Sequence, residues 1–210
     1  TLGHGSGTNS QFDRWCPGAT PSANGVWTAN LPEPSRVRDH VSAAVLNDKL
    51  YIAGGRISDF NADVGFDDEV APIEWYDFVT EEWSIGADIP QPRAAAGVVA
   101  YFNSIIVIGG ESSSQAAAHD EDTAYDPDTN TWRALSPLLQ ERHATTAFVF
   151  DGKIWIMGGS GNRGGSPELT SLGYSPRKVS STKIHDTWGN VVSSRSLLET
   201  AVSHPSILLR

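Results

Sequence analysis

Three arginines recur at one fixed offset in this 210-residue chain. Arg38, Arg93 and Arg142 each stand sixteen positions before the first residue of a Gly-Gly doublet: Gly54-Gly55, Gly109-Gly110 and Gly158-Gly159. A guanidinium presents a rigid fork of donors that can grip a carboxylate or phosphate through two bonds at once. The same fork can instead pair with an acidic loop of the protein itself, and 25 acidic residues against 15 basic ones make that easy. Asp59, Asn61 and Asp63 alternate in an acidic stretch and offer the oxygen ligands that Ca²⁺ accepts. Gly65, however, falls one place late for an EF-hand loop and Val70 stands where the bidentate Glu belongs, so a solvated loop competes with a metal site. His119 sits beside Asp120, Glu121 and Asp122 and reads as a surface histidine with a raised pKa, with metal ligation as the alternative. Cys16 is the only cysteine, so no internal disulfide forms. The doublets lack the pattern of a phosphate cradle, and neither Gly-x-Ser-x-Gly nor His-Glu-x-x-His occurs. No residue is therefore assigned as catalytic, and no cofactor is expected.

The elements that carry these residues repeat. Asp151-Gly152 joins two apolar, β-branched runs, a strong hairpin signal because both turn positions tolerate positive φ. Residues 145–150 and 153–157 are thus predicted as antiparallel strands. Equivalent pairs are predicted at 97–102 and 105–108, turning at Asn103-Ser104, and at 41–46 and 49–53, turning at Asn47-Asp48. The continuous apolar content of residues 41–55 predicts burial of that first pair on both faces. Tyr76 and Trp83, then Tyr125 and Trp132, stand seven positions apart in successive copies. A repeat of roughly fifty residues made of four short strands is the mark of a β-propeller, whose blades bury their faces against each other.

The pairing of a Gly-Gly strand end with Tyr-x6-Trp resembles the kelch repeat, over residues 19–176. Gly54-Gly55, Tyr76 and Trp83 match it, as do Gly109-Gly110, Tyr125 and Trp132. The third copy departs: Gly158-Gly159 is followed by Tyr174, but Ser181 stands at the Trp position. The resemblance implies an all-β propeller segment of about three four-stranded antiparallel blades, in a partial or open ring. Tyr76, Trp83, Tyr125 and Trp132 would fill the space between blades. It also implies that Arg38, Arg93 and Arg142, with His40 and His143 close by, line the mouth of the central channel and bind an acidic or hydroxyl-rich peptide. The expected role is a protein-interaction or scaffolding module with a protein or peptide partner. Two alternatives stay open. One is a kelch-fold enzyme of copper-oxidase or sugar-active type, although the Cys it would need lies outside the repeats. The other is a structural fragment of a larger propeller.

The formal charge of −10 argues against nucleic-acid and membrane-surface partners, since an acidic surface repels phosphate backbones and anionic lipid. Residues 1–175 hold 10 basic and 23 acidic residues, net −13, whereas residues 176–210 hold 5 and 2, net +3. This divides the chain into an extended N-terminal arm (1–18), the repeats (19–176) and a non-repeat tail (177–210), with a short helix expected near residues 191–202. Trp27 is expected on an outermost strand that could pair with the third repeat, which lacks its Trp. Three repeats do not fill a six- or seven-bladed ring, so a homodimer or additional blades are expected to complete it.

Overall fold

The computed structural model of the protein describes residues 10–20, 24–59, 65–164, 171–174, 184–185 and 191–192. Among them every regular element except short turns is a β-strand. The chain separates into two compact units, Thr1–Pro176 and Arg177–Arg210.

The first unit holds one blade after another. Strands β1 (Arg14–Cys16) and β2 (Val26–Thr28) form a two-stranded sheet. Next come β3 (Ser42–Leu46), β4 (Lys49–Ala53), β5 (Arg56–Asp59), β6 (Gly65–Glu69), β7 (Pro72–Asp77) and β8 (Glu82–Asp88). The first complete blade has the order β3-β4-β7-β8, while β5 and β6 make a separate hairpin. The second blade is β9 (Gly97–Tyr101), β10 (Ser104–Ile108), β11 (Asp122–Asp126) and β12 (Thr131–Ala134), in sequence order. The third has three described strands, β13 (Thr146–Phe150), β14 (Lys153–Met157) and β15 (Ser171–Tyr174). In the second unit β16 (Ile184–His185) pairs antiparallel with β17 (Val191–Val192). Val191 and Val192 are thus extended, where a helix was expected; the rest of that span lies outside the described residues.

Register repeats as faithfully as sequence. Leu50, Ile105 and Ile154 stand opposite Tyr76, Tyr125 and Tyr174, and Tyr76 and Tyr125 stand opposite Trp83 and Trp132. The central turns fall at Asn47-Asp48, Phe102-Asn103 and Asp151-Gly152, nine and ten positions after each arginine. The middle turn is one residue earlier than residue preferences suggest, and Phe102 takes φ 50° to allow it. Keeping β9 in the register of its neighbours outweighs the cost of a non-glycine residue in the left-handed region.

The second blade explains its own sequence. Ile105 and Val107 of β10 bury into a core shared with Tyr51, Ala53 and Ile73 of the first blade. Ile106 and Ile108 alternate to the other face and pack with Ile154 and Ile156 of the third. A strand buried on both faces has no polar alternation, which is why β10 reads Ser-Ile-Ile-Val-Ile. The blades at the two ends of the array behave differently. β13 exposes Phe148, Val149 and Phe150, and β3 exposes Val45, because among the described residues each faces a side with no inner strands against it. The two-sided burial expected of the first inner hairpin therefore fails at β3, and the hairpin at the other end of the array is open in the same way.

Two further expectations change. The strand bearing Trp27 pairs with Arg14–Cys16, Trp15 opposite Trp27, so part of the N-terminal arm is a strand and Trp27 does not complete the third repeat. β1 and β2 occupy the place of the third and fourth strands of a preceding blade: Phe12 packs edge-on against Tyr76 and Trp83, and Trp83 Nε1–H donates to Pro32 O (2.6 Å). The stretch after Gly55 folds as the β5–β6 hairpin instead of a simple loop. Asn61 and Asp63, with the side chain of Asp59, lie outside the described residues.

Candidate functional site

The three arginines share one local geometry. Each sits just before an inner strand and donates to the carbonyl of the first glycine of its own doublet: Arg38 Nη1–H to Gly54 O (2.9 Å), Arg93 Nε–H to Gly109 O (2.7 Å) and Arg142 Nη1–H to Gly158 O (3.1 Å). All three are buried, Arg93 and Arg142 completely. Arg38 also pairs with the buried carboxylate of Glu74, which accepts from the backbone N–H and hydroxyl of Ser35 as well. Arg93 fills its fork with Gln91 O, Val107 O, Glu121 O and Thr123 Oγ1. Glu74 and Thr123 are repeat-equivalent, each two residues before the blade's Tyr. Burial pulls the Arg93 pKa down to about 10 despite the nearby Asp122 and Glu121, and it lowers Arg38 too although Glu74 opposes it. These bonds lie within each arginine's own blade, and all three guanidiniums are shielded from solvent.

The glycine doublets complete this joint between blades. Gly55 N–H donates to Arg93 O (3.0 Å) and Gly110 N–H to Arg142 O (2.9 Å). A Cβ on Gly54 would lie 2.3 Å from Arg93 O, and one on Gly109 2.4 Å from Arg142 O. Two positions after each arginine, His40, Ala95 and Ala144 all take φ near 50°. Ala95 N–H donates to His40 O (2.7 Å) and Ala144 N–H to Ala95 O (2.8 Å), so the inner strands are laced edge to edge where they enter their blades.

Above this lacing lies a second set of residues, mostly those that follow the doublets, and Arg56, Glu111 and His143 among them are buried. Arg56, directly after Gly55, donates Nη1–H to Glu111 Oε1 (2.8 Å), and Glu111 directly follows Gly110. Arg56 Nη2 also lies 3.2 Å from His40 Nε2, whose Nδ1 lies 2.6 Å from Asp39 Oδ1. On its other side Glu111 Oε2 accepts from Gly164 N–H (3.1 Å) and lies 3.6 Å from His143 Nδ1. His40 thus joins one polar chain that crosses three blades, and His143 stands beside it. Sequence reasoning passed over Arg56 and Glu111, although their place after successive doublets was a repeat signal.

The loops of this face are also tied to one another. Ser113 N–H and Oγ–H donate to Glu69 (2.6 and 3.0 Å), Ala118 N–H donates to Gly161 O and Arg163 N–H to Ala116 O. His119, expected at the surface, is buried between Glu121 and Ser112. Cys16 is exposed on β1, opposite Val26. Among the described residues no three His, Cys, Asp or Glu side chains cluster as a metal site would need.

Comparison with known proteins fits this geometry. The family model of the Kelch motif matches residues 38–90, from the first arginine to the end of the first complete blade. The chain carries kelch repeats. It is 35% identical over 137 residues to alpha-scruin of Limulus polyphemus, covering 64% of this chain and 14% of that protein. To the human Kelch-like protein 23 it is 26% identical over 120 residues, 57% of this chain and 19% of that one. The chain therefore spans less than a fifth of the length of either relative. Among solved structures it is similar to YjhT, with a TM-score of 0.51 and 23% identity over 63% of this chain and 37% of that one, a likeness of fold. The kelch repeats here are an all-β, partial propeller without a closed ring.

Proposed function

We propose that this kelch segment is a protein-interaction module whose binding surface is the loop face that the buried residues after the glycine doublets tie together. The observation that carries this reading is the tying of three loops, one per blade, into a single platform by the Arg56–Glu111, Glu69–Ser113 and Ala118–Gly161 bonds. A platform knit from several blades is broad and stiff, which suits a macromolecular partner and lowers the ordering cost of binding it. Kinship with Kelch-like protein 23 and the scruins supports the same reading.

The sequence suggested an acidic peptide held by arginines. That ligand needs guanidiniums open to solvent, and Arg93 and Arg142 are enclosed. Among the described residues, the charged groups that reach solvent on the loops of this face are mainly carboxylates, those of Asp39, Asp68, Glu69, Asp120, Glu121 and Glu141, against Arg36 and Arg163. We therefore assign the partner a segment carrying Lys or Arg. Binding to arrays of basic and acidic peptides at two salt concentrations tests this. Retention of basic peptides should fall as salt rises, because exposed charge pairs are screened, and Glu69→Lys with Asp120→Lys should weaken it further. Preferential retention of acidic peptides would return the site to the arginines.

A further inference from the structure

Four side chains of the loop between β10 and β11 form a hydrogen-bonded row that neither the fold nor the proposed platform requires. Glu121 Oε2 lies 2.8 Å from His119 Nδ1, His119 Nε2 lies 2.7 Å from Ser112 Oγ, and Ser112 Oγ lies 2.7 Å from Ser114 Oγ. His119 and Ser112 are buried, while Ser114 is exposed.

The direction of each bond follows from the chemistry of the groups. Burial raises the Glu121 pKa, but its own backbone N–H, His119 and Arg93 outweigh it and hold the carboxyl below the usual range. An ionised carboxylate only accepts, so in the tautomer that serves as a base His119 carries its proton on Nδ1 and Nε2 is the acceptor. Ser112 must then donate to His119, which leaves its oxygen to accept from the Ser114 hydroxyl. This is the order of base, orienting carboxylate and hydroxyl that activates a serine nucleophile, lengthened by one serine. The row is held from outside as well: His119 N–H donates to Gly110 O, Ala118 N–H to Gly161 O, and Gln115 Nε2–H to Ala118 O.

We propose that Ser114 is a reactive surface hydroxyl that accepts acyl groups from small activated esters or thioesters, its proton drawn through Ser112 to His119. Ser114 Oγ forms a bond to the acyl carbon. Its proton passes to Ser112 Oγ while the Ser112 proton passes to His119 Nε2. The bond to the leaving oxygen or sulfur breaks, and that group takes a proton from Ser112 Oγ as the imidazolium returns its own to Ser112, leaving an ester at Ser114 and a neutral relay. No oxidation state changes.

Ser113 supplies an internal comparison. It is exposed and adjacent, yet its hydroxyl is spent on Glu69 and has no link to the row. The 210-residue protein is treated with p-nitrophenyl acetate at neutral pH, and acetylated sites are followed in time by peptide mass spectrometry. General-base assistance is typically worth about 100-fold or more, so Ser114 should be acetylated at least tenfold faster than Ser113. Ser114→Ala should abolish the fast site. Ser112→Ala and His119→Gln should slow it at least tenfold, with circular dichroism showing the fold retained; if His119→Gln does not fold, Ser112→Ala decides alone. Equal rates at Ser113 and Ser114, or an unchanged rate at Ser114 in folded Ser112→Ala, overturns the proposal.

Discussion

A single methyl group is enough to test how the blades are joined. At Gly54 it would stand 2.3 Å from Arg93 O and also force an L-residue to φ 69°. Gly152 has a similar φ of 63° with open space around it. Gly152→Ala should therefore cost about 1 kcal/mol, the conformational penalty alone, whereas Gly54→Ala adds a clash with backbone and should cost well over twice that. Urea unfolding of the two variants separates the terms, and equal losses would mean the joint yields freely. The second test at this scale is electrostatic. Burial raises the Asp122 pKa to about 7, against the opposing pull of Gly109 N–H and Arg93, and Asp122 Oδ2 has no hydrogen-bond partner. The folded state thus holds this proton more tightly than the unfolded chain. Its contribution to stability is full below about pH 4 and is lost as pH rises to 7, a change of at most about 4 kcal/mol. Asp122→Asn should flatten the fall in stability between pH 4 and 7 whatever constant offset it adds. An undiminished slope in the variant would place the titration elsewhere.

Among the elements, the fourth strand does the work of connecting blades. Trp132 Nε1–H on β12 donates to Ala87 O on β8 (3.0 Å), repeating the bond from Trp83 to Pro32 one blade earlier. Trp132→Phe keeps most of the ring against Tyr125 and removes only that donor, so it should cost about 1 kcal/mol in urea unfolding. A loss of several kcal/mol would show that the ring's shape, not its N–H, closes the joint. These elements are also where the sequence is most and least legible. The Tyr-to-Trp spacing, the hairpin turns and the doublets are local patterns, and the strands they announce are present at the expected places to within a residue or two. Burial is not local. β10 and β13 read alike, yet one is enclosed and the other open, because the difference lies in whether another blade stands beside them. The arginines show the same limit: their offset from the doublet is visible in sequence, but the direction of each guanidinium depends on Glu74 and Thr123 of a strand some thirty residues on. The β5–β6 hairpin was hidden because its acidic residues carry none of the apolar alternation that marks a strand.

Across the whole of the first unit, the two ends of the blade array are unlike. On one side β1 and β2 fill the outer half of a preceding blade, and among the described residues no inner strands of that blade stand beside Val45, which is 57% exposed. On the other, the third blade presents Phe148, Val149, Phe150 and Met157, with Phe150 67% exposed. Gly159 N–H is the repeat-equivalent of the donors that Gly55 and Gly110 give to the next arginine carbonyl, and among the described residues it has no such acceptor. A face so apolar, edged by a backbone donor, should associate. The simplest closure joins two copies into six blades, but β15 and the second copy's β1 would then compete for the third-strand place of the same blade. An inner hairpin ending in Gly-Gly, with no third strand of its own, meets no such conflict. We therefore expect light scattering coupled to size exclusion to give masses that rise with concentration above the 22.5 kDa of one chain, without settling at a clean dimer. Phe148→Lys with Phe150→Lys should return the chain to a monomer. A monomer at every concentration before substitution would show that the open face is tolerated in water, and a stable dimer would require β15 or β1 to give way to the other.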